Sequence, residues 1–478
     1  MFHIALVRLL LCFAVLMGAI SSAQAADKKP NILFLFADDY TYEAIRAFGH
    51  TDIDTPNLDK LVKRGTTFTR ASNMGSWSGA VCVASRTMLI TGRSVWSANK
   101  VYDQTDKERE AGVLWPQLMA KAGYVTYFSG KWHIKANAEK AFHVANHVRA
   151  GMPKDTPEAY NRPLEGKPDP WSSTDTNLGG FWQGGKHWSE VTADDAIDYL
   201  QRAKQQPQPF FMYIAFNAPH DPRQAPKEFL DRYPLTRIQT PTNYLAEYPF
   251  KEAIGCGSDL RDEKLGPFPR TEFAVKTHRR EYYALITHLD QQIGRILDEL
   301  KKTGQEENTW IFFTADHGLA VGHHGLLGKQ NMYDHSVRVP FIVAGPGVTK
   351  GRRIEAPIYL QDAMATSLAL AGAEAPEHVY FNSLLPLIHG DAKLSPYQQI
   401  YGAYLELQRS VTARDFKLIV YPKANKLRLY NLKKDPFEMT DLAGDVKQAG
   451  KVKELFAQLQ ALQKDLGDTL DLTAMKPK

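Results

Sequence analysis

The feature of this sequence that most restricts its fold is a series of short apolar runs, each ending directly in polar residues. Runs of this length are typical of strands that are buried on both faces of a sheet. They span Asn31–Phe36, Val125–Phe128, Phe210–Phe216, Trp310–Thr314 and Phe341–Ala344. Helical patterns lie between them, over Pro56–Arg64, Leu114–Ala122, Thr192–Ala203 and Arg279–Lys302. This alternation predicts an α/β protein with a large, mostly parallel central sheet and helices on both faces.

The C-terminal part of the chain has a different pattern. Alternating segments occur at Gln399–Leu405, Phe416–Tyr421 and Lys426–Asn431, and a helical pattern follows at Val452–Leu466. They predict a small antiparallel sheet with a terminal helix. We place the boundary near residue 380, between a main domain of residues 26–380 and a C-terminal subdomain of residues 381–478.

Two stretches of the main domain show no clear periodicity. Residues 150–183 and 235–271 are rich in Pro, Gly and Asp. Such stretches are typical of long loops that run over the surface and often carry function. We expect both to be surface loops that line a substrate cleft.

The first 25 residues have the composition of a cleaved export signal. Arg8 precedes the apolar stretch Leu9–Ile20, and Ala23-Gln24-Ala25 matches a cleavage site. The apolar stretch is too short for a comfortable membrane span, and the mean hydropathy of the chain is −0.37, so we expect no stable membrane insertion. The signal predicts a bacterial periplasmic or secreted protein.

Cysteine usage and charge limit the class of protein further. Cys12 leaves with the signal, so the mature chain keeps Cys82 and Cys256, for which one disulfide is possible but not required. The 58 basic and 53 acidic side chains are interspersed, with no run of five or six like charges. Because nucleic-acid binders concentrate basic residues on one face, we expect no nucleic-acid partner.

Polar residues that follow the predicted strands indicate a single site. Ligands of open α/β sheets bind beyond the carboxyl ends of the strands, where such residues meet. The segments concerned are Asp38-Asp39, Ser129–His133, Asn217–His220 and Ala315–Gly318. Asp38, Asp39 and Asp316 offer the hard oxygen ligands that Ca²⁺ and Mg²⁺ prefer. Capping of helices is the alternative use of these carboxylates, but two adjacent acids at a strand end are electrostatically costly without a cation.

The segment Cys82–Arg93, CVASRTMLITGR, is the most specific motif. It resembles the signature of the type I, formylglycine-dependent sulfatases of the alkaline phosphatase superfamily, in which C-x-P/A-S-R is followed by T-G-R. Further segments resemble motifs of that family along nearly the whole mature chain. They are Asn31–Asp39, Gly130–His133, Ala218–His220, Thr314–Gly318, His324–Lys329, Arg338–Pro340 and Leu429–Leu442.

The resemblance implies a cofactor and a metal site. A maturation enzyme would oxidise Cys82 to formylglycine, whose hydrated aldehyde has one hydroxyl to attack sulfur and a second to expel sulfate afterwards. The resemblance favours calcium over magnesium. The implied metal ligands are Asp38, Asp39, the modified Cys82, Asp316 and His317, the last standing where many members have Asn.

The resemblance also assigns roles to the remaining candidates. Arg86 lies four residues after Cys82, so a helix would return it to the same face, where it holds the metal or the modified side chain. Lys131 and Lys329 would clamp the sulfate. His133 would hydrogen-bond the nucleophile and assist sulfate elimination, and His220 would protonate the leaving alcohol, although these two roles could be exchanged.

The second lysine motif is accompanied by three further histidines, His323, His324 and His335. Loop residues and site residues are equally good interpretations of them, and we leave them out of the catalytic set.

Substrate identity is the least specific part of the prediction. Trp171, Trp182, His187 and Trp188 could stack on a sugar or an aryl group. Export and long loops favour a carbohydrate sulfate over small aryl or choline sulfates. The alternatives are a phosphonate or phosphate ester hydrolase of the same superfamily and an unmatured protein that binds sulfated glycans. A serine hydrolase is a remote alternative, since Ser85 lacks the G-x-S-x-G elbow.

Overall fold

A computed structural model describes residues 28–50, 52–152, 156–181, 185–391 and 394–477. The predicted signal peptide, residues 1–25, and Trp182 lie outside these ranges. Within them, no helix combines the length and the apolar character that crossing a membrane requires.

Sixteen strands are found in the described ranges. They are β1 (Asn31–Ala37), β2 (Thr66–Phe68), β3 (Ala71–Ser72), β4 (Gly75–Ser76), β5 (Val125–Lys131), β6 (Val144–Arg149), β7 (Phe210–Ala215), β8 (Thr309–Ala315), β9 (Arg338–Val339), β10 (Phe341–Ala344), β11 (Arg352–Ile354), β12 (Ile358–Tyr359), β13 (Gln399–Tyr404), β14 (Gln408–Ala413), β15 (Phe416–Tyr421) and β16 (Lys426–Asn431).

Fourteen α-helices are found in the same ranges. They are α1 (Pro56–Arg64), α2 (Val81–Thr91), α3 (Val95–Val101), α4 (Thr105–Glu110), α5 (Trp115–Lys121), α6 (Ala138–Ala141), α7 (Trp188–Lys204), α8 (Lys227–Leu230), α9 (Arg261–Lys264), α10 (Glu272–Lys302), α11 (Asp334–Val337), α12 (Asp362–Leu370), α13 (Leu385–His389) and α14 (Ala449–Leu466).

The central sheet has eight strands in the order β11-β2-β10-β8-β1-β7-β5-β6. Neighbours run parallel except where β10 meets β8 and β2. All five strands predicted from apolar runs belong to this sheet, and helices surround it, so the predicted fold class is confirmed. The sheet also recruits the short strands β2, β6 and β11, which we did not predict.

The core of the sheet is built from strands that are apolar along their whole length. Every residue of β1, β7 and β8 is buried, which explains why these strands lack an alternating pattern. Phe34 of β1 packs edge-on against Trp115 of α5 and Tyr213 of β7, with ring centroids 5.0 and 5.1 Å away. Burial of one such side chain stabilises the fold by about 1.5–3 kcal/mol. The rigid centre fixes the positions of the residues that follow these strands.

The C-terminal sheet has the order β16-β15-β14-β13-β4, and its four C-terminal strands are antiparallel. Helix α14 packs on β13, β14 and β15. The predicted small antiparallel sheet with a terminal helix is confirmed, with β14 as an additional strand. β4 lies in the main part of the chain and pairs in parallel with β13. The C-terminal sheet is therefore joined to the segment directly before α2.

Part of the predicted surface loop over residues 235–271 is buried. Ile254 and Cys256 are completely buried, and Arg270 is almost completely buried. The guanidinium of Arg270 forms an ion pair with Glu263 and donates to the carbonyl oxygens of residues 263, 266, 267 and 325. An arginine that satisfies several loop carbonyls allows an irregular segment to be buried without unpaired backbone groups.

Candidate active site

Helix α2 places Cys82 in its first turn, inside the protein. All of its eleven residues are buried. The Cys82 Sγ lies 3.3 Å from Oδ1 of Asp38 and 3.7 Å from Oδ1 of Asp39. Burial, together with the charges of Asp316 and Asp38, raises the pKa of the Cys82 thiol well above its ordinary value. Both Cys82 and Cys256 are free thiols, so the optional disulfide is not formed.

Three carboxylates converge on this thiol from two neighbouring strands. β1 and β8 are parallel and in register, with Ala37 opposite Ala315, so the residues after them emerge side by side. The backbone N–H of Asp39 donates to Oδ1 of Asp316 at 3.1 Å. Asp39 has φ of +63°, an uncommon conformation for a residue with a side chain. All three carboxylates, Asp38, Asp39 and Asp316, are completely buried.

One group of these side chains is suited to a metal ion. Ligand atoms of Asp38, Asp39, Cys82 and His220 lie within 4.8 Å of one another. Asp316 adjoins this group through its bond to Asp39. Buried carboxylates that converge are the donors that Ca²⁺ and Mg²⁺ prefer, so the residues fit a hard divalent cation.

His317 is placed differently from the other predicted metal ligands. Its Nε2 lies 3.1 Å from the carbonyl oxygen of Val81. Burial lowers the pKa of His317 to about 4, which keeps the ring neutral. His220 rather than His317 belongs to the group of close ligand atoms.

Three basic side chains surround the carboxylates. Nε of Arg86 donates to Oδ2 of Asp316 at 2.9 Å, and its Nη1 donates to the carbonyl oxygen of Lys131 at 2.7 Å. The Lys131 ammonium is paired with Asp38, and the Lys329 ammonium with Asp39. All of these cations are buried. The structure thus brings Arg86 and both predicted clamp lysines close to the carboxylates around Cys82.

The surrounding charged groups give the adjacent acids Asp38 and Asp39 different pKa values. Burial acts to raise the pKa of Asp38, but Lys131, His220 and Arg86 outweigh it and hold this pKa well below its usual value. For Asp39 burial dominates, and the pKa is raised to about 6. The cations thus favour the ionised form of Asp38 most strongly.

The two predicted acid–base histidines have different surroundings. His220 Nδ1 lies 3.0 Å from Oδ1 of Asp221, and its Nε2 lies 3.5 Å from Oδ2 of Asp39. Burial opposes the charged form of His220, but Asp221 and Asp39 outweigh it and raise its pKa. His133 is half-buried, and within the described ranges its Nδ1 has no hydrogen-bond partner. Burial and the cations Lys131 and Arg86 lower the pKa of His133 to about 3.

Sequence reasoning missed the residues behind His220. The carboxylate of Asp221 is held by Arg261 of α9, with Nη2 at 3.1 Å from Oδ2. Asp262 of the same helix lies 3.7 Å from the Lys329 Nζ. The adjacency of His220 and Asp221 in the sequence is a usable signal for the first contact. Arg261 and Asp262 gave no signal, because they lie in the stretch without periodicity.

The three additional histidines form a separate stack beside the second lysine motif. His323 Nε2 lies 2.6 Å from Oε1 of Glu43, and its Nδ1 lies 2.7 Å from Oδ1 of Asn243. The rings of His323 and His335 are stacked 5.1 Å apart. The carbonyl oxygen of His335 accepts a hydrogen bond from Thr41. They are buried residues that support the loop after β1.

The described members of the aromatic set are placed in the interior. Trp171 is 8% exposed and Trp188 6% exposed, so neither offers an open ring face to solvent. The guanidinium of Arg149 covers the Trp188 ring, 3.4 Å from its centroid. His187 is the N-cap of α7, where its side chain accepts a hydrogen bond from the N–H of Ser189.

Comparison with known proteins agrees with this geometry. The sequence model of the sulfatase family matches residues 30–373. This chain belongs to the sulfatase family. The C-terminal model of N-sulphoglucosamine sulphohydrolase matches residues 322–465. The family places the protein in the alkaline phosphatase superfamily and makes it a sulfuric ester hydrolase.

Individual sulfatases align over most of this chain. An N-acetylglucosamine-6-O-sulfatase of Bacteroides thetaiotaomicron is 25% identical, over 95% of this chain and 90% of the relative. A choline-sulfatase of Rhizobium meliloti is 28% identical, over 88% of this chain and 84% of the relative. A structure solved with its substrate D-glucosamine-2-N,6-O-disulfate has a TM-score of 0.72 and 25% identity, covering 92% of this chain and 99% of that one.

Proposed function

We propose that this sulfatase hydrolyses a carbohydrate sulfate monoester, with a formylglycine made from Cys82 as nucleophile and a bound Ca²⁺. The observation that carries the proposal is the position of the Cys82 Sγ, 3.3 Å from Asp38 and ringed by buried carboxylates and cations. An unmodified thiol whose pKa is raised is a poor nucleophile, because the reactive form is the thiolate. Oxidation of Cys82 to the aldehyde removes this obstacle.

The proposed metal would be held by Asp38, Asp39 and Asp316 together with position 82. His317 is the further ligand that the family resemblance suggests. His220, whose ligand atom also lies close to this group, is kept for proton transfer. When bound, such an ion polarises a sulfate oxygen and lowers the pKa of a coordinated hydroxyl. The oxygen donors suit both Ca²⁺ and Mg²⁺, and the family resemblance favours Ca²⁺.

The remaining catalytic roles are assigned to five side chains of this protein. Lys131, which is paired with Asp38, and Lys329, which is paired with Asp39, are the side chains proposed to hold the sulfate oxygens. Arg86 keeps Asp316 and the loop after β5 in position. His220, whose pKa is raised by Asp221, is the proton donor to the leaving alcohol. His133, whose pKa is lowered, is the proton acceptor when sulfate is expelled.

The overall reaction breaks the S–O bond on the alcohol side of the ester. Water supplies a proton to the alcohol and a hydroxyl to sulfur, so the products are the free hydroxyl of the sugar and hydrogen sulfate. A carbohydrate is favoured because relatives aligned over nearly the whole chain act on an amino-sugar sulfate. Small aryl and choline sulfates remain alternative substrates, since a choline-sulfatase is a relative of similar similarity.

Export and maturation complete the proposal. We infer that residues 1–25 direct the chain to the periplasm or the medium, that a maturation enzyme converts Cys82, and that residues 26–380 form the catalytic domain ahead of the C-terminal subdomain 381–478.

Peptide mass spectrometry across Cys82, on protein from its native host, tests the proposal. Conversion of the thiol to the aldehyde lowers the peptide mass by about 18 Da. The same protein is assayed for sulfate release from sulfated glycans, an aryl sulfate and choline sulfate, and for hydrolysis of phosphonate esters. We expect the aldehyde and preferential release from a glycan. An unmodified thiol in active protein contradicts the nucleophile, and faster hydrolysis of phosphonates contradicts the reaction.

A further inference from the structure

A small cavity lies directly beside His220. Its walls include Arg149, Met152, Trp188 and Asn217 as well as His220. Arg149 ends β6, which is the edge strand next to β5, and the register places Arg149 opposite Lys131. The cavity is therefore at the carboxyl edge of the sheet, one strand away from a proposed sulfate-binding lysine.

The segment after β6 runs along the reactive side of the site. A Cβ added to Gly151 would lie 3.3 Å from Nε2 of His133. Arg149 lies two residues before this glycine and Met152 one residue after it, and both line the cavity together with His220. If His220 protonates the leaving alcohol of a bound sulfate ester, that alcohol lies next to this cavity.

Arg149 differs from Arg86 and Arg162 in having no acidic partner. Within the described ranges, its guanidinium forms no hydrogen bond or ion pair, whereas Arg86 is paired with Asp316 and Arg162 with Glu281. The guanidinium is held instead by the face of Trp188, 3.4 Å from the ring centroid. Stacking on an aromatic ring fixes the plane of an arginine while leaving its N–H groups available. Burial lowers the pKa of Arg149 to about 9, so the side chain is still cationic at neutral pH.

Asn217 supplies a second unused polar group in the same cavity. The residue is only 6% exposed, yet within the described part of the chain its Oδ1 has no hydrogen-bond partner. Its Nδ2 lies 3.2 Å from the sulfur of Met152. A buried carbonyl oxygen without a partner is costly, and a ligand that donates a hydroxyl or N–H would remove this cost.

We propose that this cavity binds a second anionic group of the substrate, held by the Arg149 guanidinium, while Asn217 accepts a hydrogen bond from a neighbouring hydroxyl or N–H of the sugar. The proposal deepens the proposed function and rests on it. It narrows the substrate class to sugars that carry a sulfate or carboxylate in addition to the sulfate that is hydrolysed. This anion is distinct from the reacting sulfate, which lies between Lys131 and Lys329.

Matched substrates that differ by one anion test the proposal with the wild-type enzyme. The first pair is N-acetyl-D-glucosamine 6-O-sulfate and D-glucosamine-2-N,6-O-disulfate, both of which lack the cationic amine of free glucosamine. The second pair is glucose 2-O-sulfate and glucuronic acid 2-O-sulfate. We expect kcat/KM to be about 10- to 100-fold higher for the dianionic member of at least one pair, because one charge-assisted hydrogen bond is gained. The pair that shows the preference tells whether the second anion is a sulfate or a carboxylate.

The variant Arg149→Gln should remove this preference, because kcat/KM falls more for the dianionic sugar than for its monosulfated counterpart. Arg149→Lys keeps the charge without the planar stacking and should retain part of the preference. Arg232 is the matched control, because its guanidinium also stacks on an aromatic ring, 4.7 Å from the centroid of Phe229. It is exposed and distant from Cys82 in the sequence, so Arg232→Gln should leave the preference intact.

The outcomes separate this proposal from the proposed function. Wild-type enzyme that releases sulfate equally fast from both members of both pairs overturns the second-anion site but leaves the sulfatase assignment. A preference that survives in Arg149→Gln overturns it as well. Failure to release sulfate from any of the four sugars, by enzyme that is active on an aryl sulfate, overturns the carbohydrate assignment instead. If Arg149→Gln does not fold, the wild-type and Arg149→Lys ratios decide.

Discussion

Two buried clusters of charge in this protein are made of the same kinds of residue but are organised differently. The edge cluster lies at the carboxyl ends of β1, β5 and β8 and consists of Asp38, Asp39, Asp316, Arg86, Lys131 and Lys329. The Lys417 cluster joins β15 to α11 and the segment before α14, and consists of Lys417, Asp334 and Glu438. Both are shielded from solvent, so burial alone does not distinguish a reactive site from a structural one.

The two clusters differ in the atoms that their charged groups contact. In the Lys417 cluster the ammonium of Lys417 is shared between Asp334, Glu438 and the carbonyl oxygen of Met332. In the edge cluster the carboxylates meet at the thiol of Cys82, and Nη2 of Arg86 has no hydrogen-bond partner within the described ranges. A cluster that converges on one reactive atom is arranged for a ligand, whereas a cluster whose charges bridge two elements holds them together.

Replacement of Cys82 is expected to have the largest effect on the edge cluster. We expect Cys82→Ala to lower kcat/KM for sulfate release by about 10⁴-fold or more, since loss of a nucleophile removes the covalent route. The unfolding temperature should change little. Cys256→Ala is the matched control, because Cys256 is also buried and free but lies outside the edge cluster. It should lose some stability and keep its activity; a Cys82→Ala enzyme that releases sulfate normally would contradict the assignment.

Metal removal should also affect the two clusters unequally. Dialysis against excess chelator is expected to raise the activation free energy by about 4 kcal/mol, because a bound cation contributes several kcal/mol of charge stabilisation. Added Ca²⁺ should restore sulfate release more fully than Mg²⁺. Asp316→Asn should weaken the response to Ca²⁺, whereas Asp334→Asn should leave it unchanged. Full activity in excess chelator would count against a metal in the edge cluster.

For the Lys417 cluster we predict an effect on the stability of the fold rather than on the activity. Lys417→Met leaves two buried carboxylates without their shared ammonium, which should lower the free energy of unfolding by about 3 kcal/mol. The loss is at the lower end of the usual range because Arg338 lies 3.4 Å from Asp334 and compensates in part. Urea denaturation measures the change. The double variant Lys417→Met/Glu438→Gln should regain part of it, and kcat of the folded fraction should match wild type.

The comparison also explains which features could be predicted from the sequence. β1 and β8 were predictable because their residues are apolar throughout, and the site carboxylates because they follow those strands directly. β14 was missed because its buried polar residues mask the strand pattern. Its Gln408 faces inward and donates to the carbonyl oxygens of Ile254 and Gln330, so its burial depends on loops that are distant in the chain.

The same reason limited the prediction of the site. Cys82, Arg86 and Lys131 lie in local motifs, and the structure brings them together. Arg261 lies in a segment whose position is set by the buried contacts of Arg270 rather than by periodicity. Arg149 carries no motif, and only the register of β6 against β5 reveals that it reaches the site edge.

The smallest predicted effect concerns the pH dependence of the Lys417 cluster. Burial raises the pKa of Glu438 to about 7; Lys417 acts to lower it, and the carboxylate of Asp334 to raise it further. The unfolded chain releases this proton near pH 4.5, so between these two values the folded state binds a proton that the unfolded state has lost. The free energy of unfolding should therefore fall as pH rises, by about 2 kcal/mol from pH 5 to 7.

Glu438→Gln replaces the protonated acid by a neutral group of the same shape, and thereby removes this contribution. We expect its stability to change less than that of wild type between pH 5 and 7, when both are unfolded with urea at each pH. Glu299→Gln, which changes a carboxylate of α10 outside both clusters, is the control and should follow the wild-type curve. Parallel curves for Glu438→Gln and wild type would show that Glu438 is ionised throughout.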